Sequence, residues 1–353
     1  MRYRALSVVL MLLLGACASG GAANSPRSAA SPATEAAAGM PTAPAPPASL
    51  ETVKMGLPSG TASFAPFFIA IEKGYLAEEG LELEPVTAAA NVSIASLLTG
   101  ELQFSGSAAS AVSAALKGAE LKVVYTVADR PLSEVWTNAP DVRALADLVG
   151  KPVGVQSRGD STELALRIAL TARGIDPAAL SYLAVGVGGQ RLAAIQAGSV
   201  AAATLLTTET VELQEAIPTA RRVANLRDEA QMVYGGVATH DRELREYRDR
   251  TRRFLRAVMK AREYYKAYRE DTIQILAKYN GSPRSANESS YDETLWTMDG
   301  DASVPLEVQR RDAAARAQLN ELDQYQPAEQ VFDYSLVQDA YRELQASAWR
   351  PSP

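Results

Sequence analysis

The feature that most constrains the fold is an alternation, from Val53 onward, of short β-like runs with amphipathic helical segments. Val53 to Leu57 reads as a strand, and a helical pattern with Pro66 in its first turn follows. Proline suits a first helical turn, and Gly74 can adopt the left-handed conformation that ends a helix. Repeated units of this kind favour mostly parallel sheets flanked by helices, so the sequence predicts an α/β protein.

Two such series follow one another, which predicts two lobes around a cleft. The pattern predicts further strands at residues 81–86, 102–105, 121–127, 133–137, 152–156, 182–185, 200–205 and 232–238. It predicts helices at 91–100, 107–118, 142–148, 162–173 and 191–197, with Asn91 as a cap, and a helical tail from Asp241 to the end. The strands at 133–137 and 232–238 are the two predicted crossovers between the lobes.

The N-terminus has the layout of a secretory signal. Arg2 and Arg4 precede an apolar run over 8–14, which is too short to span a bilayer permanently. Cys17, the only cysteine, ends the run Leu14-Gly15-Ala16-Cys17, which resembles a bacterial lipobox. That resemblance implies cleavage before Cys17 and acylation of its sulfur, whereas an ordinary signal peptide with a chance cysteine is the alternative.

Residues 18–49 are almost entirely Ala, Gly, Ser, Pro and Thr, which is typical of a flexible tether. The predicted organisation is therefore a signal peptide over 1–16, a lipidated tether over 17–49 and a folded body. In that body, residues 50–134 begin lobe 1, residues 135–233 form lobe 2, and residues 234–353 return to lobe 1 and add the C-terminal helices.

The charge balance argues against nucleic acid as a partner. The chain carries a formal net charge of −6, and loss of residues 1–16 would remove two arginines and no acid. Arginines and lysines are dense over 241–278, but they alternate with acids and with apolar residues at helical spacing. This pattern favours a solvated helix face.

Three segments resemble a known family, the periplasmic-binding-protein-like receptors of the nitrate, sulfonate, taurine and thiamine-precursor class of ABC transporters. They are residues 66–81 (PFFIAIEKGYLAEEGL), 147–155 (DLVGKPVGV) and 193–200 (AAIQAGSV). The resemblance covers roughly Val53 to Lys278 and implies a type II periplasmic-binding-protein-like fold. Gln103 and Ala201 stand where that family often has aspartates, a departure that we interpret as a difference in local turn structure.

Ligands of open α/β sheets bind outside the carboxyl ends of the strands, where loops lead into helix N-termini. The corresponding loops here are rich in Gly, Ser and Thr, which lets backbone N–H groups approach a ligand. These loops and the second crossover give the predicted ligand contacts: Ser63, Phe64, Ser105, Ser107, Ser157, Arg158, Ser161, Thr162, Gly189, Thr204 and Tyr234.

The loop over 157–163 is the strongest candidate. Asp160 and Glu163 have the spacing of a capping box, and Arg158 could offer a positive charge to a carboxylate, sulfonate or phosphate. The alternative is an ordinary helix start with a solvated arginine. Tyr234 and Trp136, in the two crossovers, could offer flat surfaces to a ring, whereas Phe67 is better explained by core packing.

An enzyme on the same fold is the rival interpretation. The single histidine, His240, precedes a charged helix and is better explained as a surface or capping residue. The sequence contains no nucleophile-elbow, phosphate-loop or metal-ligand motif, so no cofactor or metal is predicted.

The resemblance implies an exported, lipid-anchored, monomeric solute-binding protein that faces the periplasm or cell exterior. It would capture a small organic anion or heterocycle and deliver it to an ABC permease and its ATPase. A sensory binding lipoprotein without transport is the third alternative.

Overall fold

The computed structural model describes residues 49–57, 62–186, 188–206 and 209–353. The predicted signal peptide, Cys17 and nearly all of the tether lie outside the described residues. Among those described, no helix combines the length and apolar content needed to cross a bilayer. Two five-stranded sheets with helices packed around them confirm the predicted α/β fold.

The first sheet has the order β2-β1-β3-β10-β4. Its strands are β1 (Glu51–Leu57), β2 (Leu81–Thr87), β3 (Phe104–Ser105), β4 (Leu121–Ala128) and β10 (Tyr234–His240). Strand β1 pairs in parallel with β2 and β3, whereas β10 is antiparallel to both β3 and β4. The chain therefore leaves this sheet after β4 and returns to its interior with β10.

The second sheet has the order β7-β6-β8-β5-β9. Its strands are β5 (Ser133–Thr137), β6 (Pro152–Val155), β7 (Ser181–Ala184), β8 (Ala202–Leu206) and β9 (Arg221–Asn225). Strand β6 is parallel to β7 and β8, and β5 is antiparallel to β8 and β9. The sequence pattern does not predict strand β9, because Arg221 and Arg222 hide its alternation of apolar and polar residues.

Helices surround both sheets. The first sheet carries α1 (Ala65–Glu72), α2 (Tyr75–Glu78), α3 (Ala90–Thr99) and α4 (Ala108–Leu116), and the second carries α5 (Ser161–Ala172), α6 (Gly189–Gln196), α7 (Thr210–Ala216) and α8 (Leu226–Glu229). The later helices are α9 (Asp241–Glu246), α10 (Arg248–Ala267), α11 (Arg269–Asn280), α12 (Arg284–Thr294), α13 (Leu306–Leu319), α14 (Ala328–Val331) and α15 (Ser335–Ala346).

Local signals placed most helix ends correctly. Pro66 lies in the first turn of α1, and Gly74 and Gly100 adopt φ values of 72° and 82° directly after helices. The predicted cap at Asn91 was wrong, since Ala89 occupies that position and Asn91 lies inside α3. Only residues 145–148 of the predicted helix at 142–148 are helical, as a single 3-10 turn.

The charged segment after Asp241 forms three helices, α9, α10 and α11. Its basic residues are not simply solvated, because they pair with acids of other elements. Arg253 bonds Glu51 at 2.8 Å, and Arg256 pairs with the buried Glu79. Arg262 is 1% exposed and donates to the carbonyl oxygens of Thr297 and Asp299, each at 2.7 Å. This helix face is therefore an interface within the body.

The C-terminal tail adds backbone hydrogen bonds to the first sheet. Thr126 N donates to Ala302 O at 2.8 Å, and Phe332 forms an isolated parallel bridge with Val123 of β4. These bonds extend the edge of the sheet at β4. The tail therefore belongs to the same lobe as β1 to β4.

Three aromatic rings join α1, β3 and α10 in the core of this lobe. The Phe254 ring of α10 lies 4.0 Å from that of Phe104 and 6.1 Å from that of Phe67, centroid to centroid, and both pairs are nearly parallel. All three side chains are fully buried. Core packing of Phe67 is thereby confirmed.

Replacing Phe254 with Ala should lower the free energy of unfolding by about 3–5 kcal/mol, the usual cost of truncating a buried phenylalanine. Urea unfolding measures the loss. Val92→Ala, at a side chain 52% exposed on α3, is the control and should change stability by less than about 0.5 kcal/mol. Equal effects of the two substitutions would contradict a core built on these rings.

Candidate ligand-binding cleft

A cleft of about 570 Å³ lies where the two sheets meet. Four parts of the chain line it. They are residues 62–63 of the first lobe, Leu132 and Tyr234 at the ends of the two crossovers, residues 188, 206, 209 and 212 of the second lobe, and residues within 279–294. This volume is in the range of sites for small organic molecules.

Two predicted contacts, Ser63 and Tyr234, line this cleft, and a third, Gly189, follows the lining residue Gly188. Phe64 lies beneath Ser63, where its buried ring is 6.1 Å from that of Phe67. Burial raises the pKa of Tyr234 above its ordinary value, and the nearby carboxylates of Asp160 and Glu209 raise it further. The Tyr234 hydroxyl therefore stays protonated at neutral pH and can donate a hydrogen bond.

Three other predicted contacts are buried within the sheets and do not line the cleft. The Ser105 Oγ lies 2.6 Å from the Ser93 Oγ and accepts from Ser107 N at 3.1 Å. Ser107 precedes α4, but its side chain makes no capping bond. Thr204 is fully buried and donates to Gly154 O at 3.3 Å. The Ser105 and Thr204 hydroxyls are therefore bound within their own sheets in this conformation.

The loop over 157–163 forms the predicted capped helix start. The Asp160 carboxylate accepts from the backbone N–H groups of Thr162 and Glu163 at 3.1 and 2.9 Å, and from the Thr162 hydroxyl at 2.9 Å. Glu163 reaches back to Gly159 N at 2.9 Å, one residue beyond the expected position. Ser157 is exposed and Ser161 is half-buried at the first turn, and neither lines the cleft.

Arg158 is held against its own lobe. Its Nε lies 3.2 Å from Glu163 Oε2, and its Nη1 donates to Tyr182 O at 3.0 Å. The guanidinium also lies 5.3 Å from the centre of the Tyr182 ring. In this conformation the positive charge of Arg158 is paired with Glu163 and is not offered to the cleft.

Trp136 is a core residue of the second lobe and not a cleft surface. It is 6% exposed and belongs to the cluster formed with Leu205 and Leu213. Its indole N–H donates to Glu134 at 2.7 Å. Every residue of β5 is buried, and the strand lies inside the sheet between β8 and β9.

An ion pair that sequence reasoning missed lies at the start of α6. Arg191, fully buried, donates to Glu209 Oε1 at 2.6 Å and to Thr204 O at 2.8 Å. Glu209 also accepts from Gly188 N at 3.1 Å and from Leu206 N at 2.9 Å. The Glu209 carboxylate thus binds one amino group of Arg191 and two backbone N–H groups at this end of the cleft.

A second missed element is the wall formed by the end of α11 and by α12. The Tyr279 ring stacks on Phe68 with centroids 4.2 Å apart, and its hydroxyl donates to Glu72 at 2.7 Å. Burial, reinforced by Glu72, raises the pKa of Tyr279. Hydroxyl and amide side chains continue along this wall at Asn280, Ser282, Asn287, Ser290 and Thr294.

The second crossover is fixed by an ion pair on α13. Asp312 and Arg316 are 0% and 1% exposed and lie 2.7 Å apart. Asp312 accepts from Val233 N at 3.1 Å, and Arg316 donates to Val233 O at 3.2 Å, so both backbone groups of this residue are bound. Met232 N also donates to Asp129 O at 2.9 Å, which joins the two crossovers.

The sequence matches the family model described as NMT1/THI5 like over residues 61–271, more than half of the chain. The chain belongs to the NMT1/THI5-like family. No curated protein matches it at a significant level.

Solved structures with the same fold have different functions. The chain is 19% identical to the periplasmic aliphatic sulphonate-binding protein SsuA of Escherichia coli (TM-score 0.66, covering 82% of this chain and 99% of that one). It is 14% identical to the periplasmic nitrate-binding protein NrtA of Synechocystis PCC 6803 (0.59, 86% and 91%). It is also 14% identical to the desulfurization enzyme DSZB (0.57, 83% and 99%). At these identities the likeness establishes the periplasmic-binding-protein fold of this NMT1/THI5-like chain.

Gln103 and His240, which the sequence analysis singled out, have local structural roles in this NMT1/THI5-like fold. Gln103 accepts from Lys54 N at 2.8 Å and donates to Gly100 O at 3.3 Å, so it closes the turn before β3. The His240 Nδ1 accepts from Arg242 N at 3.0 Å and caps α9, as expected. Among the described residues, no group of three His, Cys, Asp or Glu could hold a metal ion.

Asp312→Ala should lower the free energy of unfolding by about 3–5 kcal/mol, because the buried Arg316 guanidinium would lose its counter-charge. Chemical denaturation measures this. Asp339→Ala removes one partner of a pair with Arg342 that is 42% and 69% exposed, and should cost less than about 1 kcal/mol. If the two variants were equally stable, the clamp on Val233 would not be a stabilising contact.

Proposed function

We propose that the chain is an extracytoplasmic solute-binding lipoprotein of an ABC importer, which captures a small organic molecule and delivers it to a permease. The observation that carries this proposal is the 570 Å³ cleft between two sheets that only two crossovers connect. The sulphonate-binding and nitrate-binding proteins with the same fold support it.

Hinged closure is the mechanism that the architecture favours. The lobes, taken as residues 50–134 with 234–353 and residues 135–233, have distinct apolar clusters that meet at Tyr234 and α13, and we propose that each lobe moves as a body about this contact. A solute bound between them would favour the closed form by its contacts with both. Closure would also exclude water, and hydrogen bonds to the solute would strengthen as the local dielectric falls.

The solute itself is proposed to carry a flat or heterocyclic part. Tyr234 and Tyr279 present aromatic rings to the cleft, and the surrounding hydroxyls and amides can bond ring nitrogens and oxygens. The anionic solute expected from Arg158 has less support, since that guanidinium is bound to Glu163 and to the Tyr182 carbonyl.

An enzyme is the second candidate, because the desulfurization enzyme DSZB shares the fold. The receptor is favoured because His240 caps α9 and does not line the cleft. A sensory lipoprotein would bind the same solute but would not co-purify with a permease and its ATPase.

A thermal-shift screen of sulfonates, carboxylates, pyrimidines and flavins should identify a solute that raises Tm by several degrees. At a concentration of 100 Kd, a bound solute adds about 2.7 kcal/mol by mass action. Tyr234→Ala should abolish the shift, whereas Tyr325→Ala, at a ring 44% exposed and outside the cleft, should retain it. Turnover of the solute into a product would contradict the receptor and favour the enzyme.

The anchor is tested at Cys17. Cells expressing the chain and fed an alkyne fatty acid should incorporate the label and hold the protein in the membrane fraction, because acylation adds buried CH₂ groups. Cys17→Ser should lose both the label and the membrane association. An unlabelled wild-type protein in the cytosol would contradict the anchor and the export together.

A further inference from the structure

The described lining of the cleft contains acids but no lysine or arginine. Its ionisable side chains, apart from tyrosines, are Glu209, Glu212 and Glu293. No lysine or arginine of the described lining itself is present to match these carboxylates.

The guanidinium of Arg191, which is bound to the lining residue Glu209, is already paired with a carboxylate. Arg191 is 0% exposed and binds Glu209 Oε1 at 2.6 Å, and its second amino group binds Thr204 O at 2.8 Å. A solute anion would normally bind this guanidinium together with the N–H groups at the start of α6. Glu209 already binds the guanidinium and also accepts hydrogen bonds from Gly188 N and Leu206 N.

A solute anion that enters the cleft would therefore find the Glu209 carboxylate already bound to the donors that the anion would use. It would have to displace Glu209 from three hydrogen bonds, two of them to backbone N–H groups, and would leave that carboxylate in the same cleft. Like charges at close range in a partly buried site repel strongly. A cation meets the reverse situation, because the exposed carboxylate of Glu212 attracts it and the ring of Tyr234 also favours positive charge.

We propose that the cleft selects a solute with a positively charged group, such as an amine or amidine on a flat ring, and that Glu209 is the residue that determines this preference. The inference rests on the proposed solute-binding function and gives it a substrate class. In this role Glu209 occupies the anion-binding donors permanently, while Glu212, on the exposed face of α7, adds to the attraction at the cleft entrance.

The test uses the full chain, purified in detergent, with three aromatic probes of similar size, benzylammonium, benzyl alcohol and benzoate, and the smaller anion methanesulfonate. Dissociation constants are measured by titration with ligand-observed NMR. Wild-type protein should bind benzylammonium at least tenfold more tightly than benzoate or methanesulfonate, with benzyl alcohol between them. The charge of any solute identified by the thermal screen is a second readout, and a cationic solute is expected.

Glu209→Gln keeps the shape of the side chain and removes its charge. This variant should reduce the preference for benzylammonium over benzoate at least tenfold, because Arg191 becomes available to the anion. Glu215→Gln, at an exposed position of α7 outside the cleft, is the matched control and should leave the preference unchanged. If Glu209→Gln fails to fold, the affinities of the wild-type protein for the four probes still test the charge preference.

Tighter binding of benzoate or methanesulfonate by the wild-type protein, or an anionic solute from the screen, would overturn this inference and leave the solute-binding function intact. An unchanged preference in a folded Glu209→Gln variant would overturn the role of Glu209. If neither the probes nor any screened solute binds, the proposed function itself fails, and the charge preference with it.

Discussion

The ion pair between Asp312 and Arg316 is the interaction on which the geometry of the cleft depends. Burying two charges costs free energy that their attraction repays only with good geometry and further hydrogen bonds. Here those further bonds go to both backbone groups of Val233, 79 residues away from Asp312 in the chain. A pair of apolar side chains could fill the same space but could not fix a strand backbone in direction and register. The pair thus sets where β10 begins and where Tyr234 enters the cleft.

The same arrangement explains why a helix of the tail packs across both lobes. Helix α13 contacts α4 of the first lobe and α5 of the second, while its ion pair holds the crossover between them. The two lobes have distinct apolar clusters, but Tyr234 packs against both of them. The chain joins the lobes through the four-residue crossovers 129–132 and 230–233, which a hydrogen bond from Met232 N to Asp129 O couples. Motion between the lobes would therefore have to accommodate α13 and its bonds to Val233.

The sequence predicted the parts of this protein that local chemistry determines. Pro66 and Gly74 delimited α1, and Asp160 identified the start of α5, because those residues act on backbone groups within a few positions. The residues that shape the cleft have distant partners instead. Glu209 binds Arg191 from 18 positions away, and Tyr279 packs on Phe68 from across the lobe. The same holds for Arg158, which binds the carbonyl of Tyr182 24 residues away, and for Trp136, which packs with Leu205 and Leu213 of other elements.

Proteins of this fold bind sulphonates or nitrate, or catalyse a desulfurization, so the arrangement of the two sheets does not decide the solute. In the preference proposed for this cleft, the deciding factor is which charges remain uncompensated at the carboxyl ends of the strands. A buried arginine at the start of α6 would favour anions if it stood alone, whereas the same arginine with Glu209 contributes no net charge to the cleft. Because Arg191 lies in the first turn of α6 and Glu209 directly precedes α7, the proposed preference can change at these two helix starts without any change in the fold.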